Sequence, residues 1–337
     1  MIGGARFCTG AAADYSHREN KKTVTVRAHL ASEGPEPDVV AQSQPQRRKM
    51  HALVLLLLVC AGLGLLVYPL AGTYLRNVHQ ESVAEAYRNS QTQLVPGLQE
   101  EWLDMARRYN DSNAGAPILD PWLNRVSKNN APYRDYVEQL NPEGKPDAVM
   151  AALAIPAINS KLPIYHGTEE DTLERGVGHL YGSALPVGGE GMHSVLTGHT
   201  GLTTASLFDR LNEVKIGDAF YVSVMGETLK YEVDHTTVVL PHETEHLRPE
   251  VGKDYVTLIT CTPYGVNSHR LLVRGTRVEM DPEEAERAFA ESANPWVWWM
   301  WLVAALIVLV LVIIAALIVR NLQARRQGRH TLRRDVS

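Results

Sequence analysis

Cysteine is scarce in this chain, and basic residues do not dominate its charge. Three of the 337 residues are cysteine, and 38 acidic residues outnumber 33 Lys and Arg residues, which gives a formal charge of −5. Three cysteines cannot build the paired bridges of a disulfide-rich domain. The charge balance also argues against a nucleic-acid partner, because such domains carry basic patches.

Recognised metal-ligand spacing is absent as well. The histidines nearest the apolar segments of the middle region, His166, His179, His193 and His199, are scattered without the short repeats of a zinc site. We therefore expect no metal and no cofactor.

Two long uncharged runs are present, at residues 52–75 and 296–319. About 20 apolar residues cross a bilayer, so both runs predict membrane-spanning helices. Two alternatives remain. Each run could instead be a buried core helix, and the first run could be the apolar part of a signal peptide. We favour a retained helix at residues 50–75 and a second at residues 296–319.

Basic residues flank these runs on the sides away from the middle of the chain. They are Arg47, Arg48 and Lys49 before the first run, and Arg320, Arg325, Arg326, Arg329, Arg333 and Arg334 after the second. Basic residues next to a membrane-spanning helix stay on the cytoplasmic side. Tryptophans are common at the membrane surface, where we expect Trp296, Trp298, Trp299 and Trp301 to lie. This predicts a two-pass protein of the cell membrane with both termini inside and the middle region outside.

The remaining segments differ in composition. Residues 1–49, which include "ASEGPEPDVVAQSQPQ", are polar and predict a disordered cytoplasmic tail, although translation from Met50 would remove it. Residues 76–146 carry apolar positions at helical spacing with a break near Pro96, and residues 320–337 form a basic cytoplasmic tail.

The sequence predicts many short strands with glycine-rich turns at residues 147–285. Alternation of polar and apolar residues continues on both sides of a turn at residues 225–227, and a further strand is expected at residues 162–165. This pattern predicts a mainly β fold, a closed barrel.

Cys261 is the only thiol in the region predicted to be external, because Cys60 lies in the first apolar run and Cys8 in the tail. A lone cysteine is either a small buried hydrophobe or a nucleophile, and a nucleophile needs a base and an electrophilic stabiliser nearby.

Suitable partners lie at matching positions on the predicted strands. The run "SVLTGH" ends in His199 much as "DYVTLITC" ends in Cys261, and Arg270 begins the next strand after a turn with Pro263 and Gly265. Hairpin geometry brings Arg270 back beside Cys261.

These residues resemble the sortases, cysteine transpeptidases of the Gram-positive cell surface. "IPAINSKLPIYHGT", "GVGHLYGSALPVGGEGMHSVLTGHTGL" and "TLITCTPYGVNSHRLLVRG" are similar to class C, the pilin-polymerising sortases, over roughly residues 80–320. One position departs from the pattern: Thr200 follows the histidine, where class C relatives often have arginine.

The resemblance implies an eight-stranded sortase barrel with N-terminal helices and a lid loop. It also implies that Cys261 attacks a peptide carbonyl, that His199 transfers protons and that Arg270 stabilises the oxyanion. The implied substrates are LPXTG-like signals of pilin subunits, cut between Thr and Gly and joined to acceptor lysines by an enzyme expected to be monomeric. Thr260 is either a weak substrate contact or an ordinary strand residue.

The tripeptide "DPW", Asp120, Pro121 and Trp122, resembles the lid motif of class C sortases. There the aspartate pairs with the catalytic arginine and the aromatic ring covers the cysteine. An ordinary Asp-Pro turn with a core tryptophan is the alternative.

Other functions remain open at this point. Cys261, His199 and Arg270 also fit a membrane-anchored cysteine hydrolase, in which water resolves the acyl-enzyme, or a housekeeping-type sortase that anchors proteins to the cell wall. In a non-catalytic membrane scaffold, Cys261 would be inert core.

Overall fold

A computed structural model describes residues 44–113, 131–202, 205–290 and 295–334. The chain divides into two compact units, residues 1–54 and residues 55–337. Of the first unit, the structure describes the start of helix α1 (Gln44–Gln91). The second unit contains the remainder of the described chain, including every strand named below.

Eight strands form the body of the second unit. They are β1 (Val149–Ile155), β2 (Ser160–His166), β3 (Val177–His179), β4 (Met192–Thr197), β5 (Ala219–Val224), β6 (Glu227–Val239), β7 (Asp254–Thr262) and β8 (His269–Val278). Runs of buried apolar residues such as "VMAALAI" in β1 and "DYVTLITC" in β7 explain these strands, because both of their faces are covered. The predicted β5–β6 hairpin and the predicted strand within β2 are both confirmed.

The strands close into a barrel in the order β1-β2-β3-β4-β7-β8-β6-β5, with β5 pairing back onto β1. The predicted closed eight-stranded barrel is thereby confirmed. The pairs β2–β3 and β4–β7 are parallel, and the other pairs are antiparallel. Because β4 and β7 run side by side in one direction, the residues that follow both strands lie at the same rim.

Large side chains fill the barrel interior. Phe220 and Tyr231 stack with ring centroids 5.6 Å apart, and each is fully buried. Gly275 makes this stacking possible, since a β-carbon there would lie 2.6 Å from the Phe220 ring. Burying one side chain of this size contributes about 1.5–3 kcal/mol to the free energy of unfolding.

Helices pack around the barrel. They are α2 (Leu98–Asn113), α3 (Ala131–Glu138), α4 (Glu170–Arg175) and α5 (Pro282–Ala290). The predicted break near Pro96 is confirmed, because α1 ends at Gln91 and α2 begins at Leu98. Tyr87 anchors α1, since its hydroxyl donates to the carbonyl of Met150 and accepts the N–H of Met225.

Two helices of the described chain are long and apolar enough to cross a membrane. The first is the part of α1 at Leu53–Gln91, and the second is the apolar part of α6 (Trp298–Arg334) at Trp298–Gln323. Exposed side chains such as Leu58 and Val308 line them. The two predicted apolar helices are therefore present, and α1 already begins at Gln44, ahead of the expected boundary at residue 50.

Candidate active site

The β7–β8 hairpin carries two of the predicted site residues. Cys261 lies near the end of β7 and faces Arg270 across the antiparallel ladder. In the connecting turn, the N–H of Asn267 donates to the carbonyl of Pro263 at 2.9 Å, and Gly265 takes a φ of +74°. Glycine adopts such a left-handed conformation without strain, so the glycine at position 265 favours this turn.

The Arg270 guanidinium contacts the Cys261 thiol directly. Nη1 of Arg270 lies 3.5 Å from Sγ of Cys261, and the same nitrogen lies 3.3 Å from the carbonyl oxygens of Asn267 and His269. Those two carbonyls hold the guanidinium over the sulfur, and Cys261 as a whole is only 7% exposed. A fixed positive charge beside a thiol favours the thiolate, which is the nucleophilic form.

His199 follows β4 at the same rim of the barrel. Thr197 is the last residue of β4 and pairs with Ile259 of β7, and the N–H of Gly198 then donates to the Ile259 carbonyl at 3.0 Å. The parallel pairing thus continues to the residue before His199 and brings the histidine loop beside the end of β7. The His199 carbonyl accepts the N–H of Phe208 at 3.1 Å, which closes the loop on its other side.

Close packing and buried hydroxyls hold this loop in place. A β-carbon on Gly198 would lie 2.6 Å from the Phe208 ring, so a larger residue would displace the segment. The hydroxyl of Thr260 donates to the Gly198 carbonyl at 2.7 Å and also contacts the hydroxyl of Thr200. Thr260 is 2% exposed and ties the histidine loop to the cysteine strand, while its expected contact with substrate stays a prediction.

Thr200, the position that departs from the class C pattern, is largely buried in this structure. Its hydroxyl donates to the Phe208 carbonyl at 3.2 Å as well as contacting Thr260. The threonine therefore contributes to the packing of the loop.

The imidazole of His199 lies beside helix α4. Its Nε2 is 3.4 Å from Oε1 of Glu170, and its side chain is 12% exposed whereas that of Glu170 is 72% exposed. Burial lowers the pKa of His199 below its ordinary value, and the carboxylates of Glu170 and Glu174 oppose that effect. Such a histidine is mostly neutral near pH 7 and can accept a proton.

The sequence pattern does not single out Glu170 as a functional residue. The stretch "TEEDTLER" that follows β2 carries several acidic residues and reads as the first turn of a helix, where acidic side chains are common. Only the packing of α4 against β3, which pairs with β4, brings one of those carboxylates to His199.

The other three histidines considered for metal binding have separate hydrogen-bond partners. His166 contacts the carbonyl of Gln139, His179 that of Ala184, and His193 that of Arg248. Within residues 44–113, 131–202, 205–290 and 295–334, no three His, Cys, Asp or Glu side chains group in a way that could hold a metal ion.

The predicted lid residues Asp120, Pro121 and Trp122 lie outside the described residues. They belong to the segment between α2 and α3, so their predicted contacts with Arg270 and Cys261 stay a prediction.

Comparison with known proteins identifies sortases, both among protein families and among solved structures. A family model described as the Sortase domain matches residues 153–278. Sortase A from Corynebacterium diphtheriae is 56% identical with a TM-score of 0.55, covering 61% of this chain and 94% of its own. Sortase C-1 from Actinomyces oris is also 56% identical with a TM-score of 0.51, covering 54% of this chain and 99% of its own.

Sortase C of Streptococcus pneumoniae is 39% identical with a TM-score of 0.52, and the match covers 59% of this chain and 97% of that chain. That structure is described as giving insights into catalysis and pilin substrate specificity. A lid mutant of the Corynebacterium diphtheriae protein is also among the similar structures.

Proposed function

Since this chain belongs to the sortase family of cysteine transpeptidases and has class C sortases among its structural neighbours, we propose that it polymerises pilins. It would cleave an LPXTG-like sorting signal between threonine and glycine and join the threonine to a lysine of another pilin subunit. The observation that carries this proposal is the Cys261–Arg270 contact of 3.5 Å, made beside the loop that holds His199.

Acylation is the first half of the proposed reaction. The Cys261 sulfur attacks the threonine carbonyl while the thiol proton passes to His199, which is neutral because burial lowers its pKa. The guanidinium of Arg270 faces the oxygen that becomes an anion. The bond between threonine and glycine then breaks, and the His199 imidazolium returns its proton to the departing glycine amine.

Transfer to the acceptor is the second half. A neutral lysine amine attacks the thioester carbonyl, and His199 accepts the proton that the amine loses. The Cys261 sulfur leaves as a thiolate and takes that proton from the His199 imidazolium. An isopeptide bond remains between the two subunits, and the enzyme returns to its starting state. Water in place of lysine would give hydrolysis, and a cell-wall amine would give the housekeeping reaction.

We also propose that the enzyme works at the outer face of the cell membrane. Two apolar helices flank the barrel in sequence, and the basic residues lie on their far sides. In this arrangement both termini are cytoplasmic and the barrel faces the cell envelope, where sorting signals are exposed.

The residues 120–122 are proposed as a lid over the site. Support comes from the class C motif "DPW" and from the lid known in the similar Corynebacterium diphtheriae protein. Asp120 would pair with Arg270, and Trp122 would cover Cys261.

Transpeptidation by the full chain in detergent tests the proposal. The wild-type protein is incubated with an LPXTG peptide and a lysine-containing acceptor peptide, and products are identified by mass spectrometry. We expect the isopeptide product, none from Cys261→Ala, and about 100- to 1,000-fold slower turnover for His199→Ala and Arg270→Ala. Cleavage by Cys261→Ala would refute the nucleophile, and wild-type products formed only with water would identify a hydrolase.

A further inference from the structure

Glu170, which lies outside the predicted catalytic set, contacts the His199 ring. Its Oε1 lies 3.4 Å from Nε2, slightly longer than an ideal hydrogen bond. Catalytic contacts of this kind commonly shorten when substrate excludes water. The distance is therefore suited to an ion pair that forms when the imidazole becomes charged.

The backbone around Glu170 gives this carboxylate a defined place. Glu170 is the first residue of α4, whose Leu173 is fully buried and whose Gly176 N–H donates to the Thr172 carbonyl at 3.1 Å. The preceding residue, Glu169, accepts a hydrogen bond from the Tyr133 hydroxyl at 3.0 Å. The start of the helix is thus attached to both the barrel and α3.

Other charged groups also lie near the histidine loop. Glu174 acts on the same imidazole from one turn further along α4. Asp209 accepts the N–H of Gly201 at 2.7 Å on the loop after His199, and Arg270 lies against Cys261. Glu170 is the carboxylate with a described ion-pair distance to the ring.

We propose that Glu170 is a positioning residue for transpeptidation, which orients His199 through Nε2 and stabilises its imidazolium form. Pairing of Nε2 with the carboxylate leaves Nδ1 as the nitrogen that takes the proton from the thiol and gives it to the leaving amine. The tautomer and orientation of a histidine are set by what its other nitrogen contacts.

A carboxylate partner assists this chemistry. His199 is mostly shielded from water, and burial alone disfavours the charged ring that each half-reaction must form. A nearby carboxylate offsets that cost without taking part in bond breaking. The inference rests on the proposed function for its kinetic consequence, whereas the effect on the ionisation of His199 does not depend on it.

The first test is a pH titration of His199 in the full chain in detergent micelles. Carbon-13 labelled histidine is observed by NMR, and the His199 signal is identified by its loss in His199→Asn. We expect Glu170→Gln to lower the pKa of His199 by about half a unit to one unit, which a purely structural role would not do. Asp171→Asn removes the same charge from the same helix and should leave that pKa nearly unchanged.

The second test is the pH dependence of turnover with an LPXTG peptide and an amine acceptor. Glu170→Gln should lower kcat about 3- to 10-fold with KM within about twofold, and should move the His199 limb of the profile to lower pH. Glu170→Asp should recover part of the loss, and Asp171→Asn should match the wild-type protein.

An unchanged His199 pKa in Glu170→Gln, or an equal shift in Asp171→Asn, would overturn the proposal. These outcomes are distinct from failure of the proposed function, because an inactive wild-type protein would refute transpeptidation while the NMR titration still reports on Glu170.

Discussion

At the residue scale, the position of His199 depends on side chains that take no part in bond breaking. The glycine before it allows the Phe208 ring to approach, and Thr260, the neighbour of the nucleophile, binds the Gly198 carbonyl. A shift of the histidine by 1 Å would separate the proton carrier from the reacting atoms. The close packing of Gly198 against Phe208 therefore contributes to activity by keeping His199 in place.

Substitution of Gly198 tests this dependence. Gly198→Ala places a methyl group 2.6 Å from the Phe208 ring and should lower kcat about 10- to 100-fold by displacing His199. Steady-state turnover of an LPXTG peptide measures the loss. The double variant Gly198→Ala, Phe208→Leu should recover most of the rate, because the smaller side chain leaves room. Full activity in the single variant would show that the loop tolerates the displacement.

At the element scale, the site is built where three strands meet. β7 lies between β4 and β8, so one strand contacts both the histidine loop and the arginine strand. The hairpin supplies the Cys261–Arg270 pair, and the parallel β4–β7 pairing supplies His199. The proposed lid, residues 120–122, belongs to the segment between α2 and α3.

Weakening the proposed lid should increase access to the thiol. A closed resting enzyme binds substrate only through its open fraction, so removing closing contacts raises apparent activity without changing a catalytic group. We expect Asp120→Ala and Trp122→Ala each to speed hydrolysis of a short LPXTG peptide and labelling of Cys261 by a thiol reagent. Asp104→Ala, at an exposed position of α2, serves as the control. Labelling rates equal to the wild-type value would leave the ordinary Asp-Pro turn as the better interpretation.

At the scale of the whole molecule, the barrel buries histidines in neutral form. Burial lowers the pKa of His166 and of His193 to about 4 and that of His179 to about 3. All three accept or donate hydrogen bonds within the fold. The folded protein therefore resists protonation at sites that an unfolded chain would readily protonate.

Acid should consequently destabilise the protein. Unfolded histidines bind a proton as the pH falls through about 6.5, whereas the folded ones stay neutral to about pH 4 or lower. The unfolded state then binds more protons, so the free energy of unfolding falls with falling pH. Each histidine contributes about 1.4 kcal/mol for every unit by which folding lowers its pKa. Burial raises the pKa of Asp209 to about 6, so this group binds its proton more readily in the folded state and opposes the loss of stability in acid.

Thermal unfolding of the full chain in detergent, followed between about pH 7.5 and 4.5, measures this dependence. The midpoint should fall toward acid pH, and Asp209→Asn should make the fall steeper. A midpoint that stays level or rises toward acid pH would contradict neutral burial of these histidines.

Membrane topology is the second property of the whole molecule that can be tested. In a variant with serine at Cys8, Cys60 and Cys261, new cysteines are introduced one at a time by Val251→Cys and Ser337→Cys. Val251 is fully exposed on the barrel, so a membrane-impermeant maleimide should label it in intact cells. The Ser337→Cys variant should be labelled only after permeabilisation. Labelling of both in intact cells would contradict the proposed orientation.

The sequence by itself determined the features that local chemistry specifies. Alternating or continuous apolar residues placed strands, Pro96 placed the helix break, and the glycine-containing turn after Cys261 placed Arg270 opposite it. Only the tertiary structure decided that Gly198 packs against Phe208, and that Glu170 reaches His199. Those contacts depend on how loops and helices pack against the closed barrel, and such packing leaves no periodic pattern along the chain.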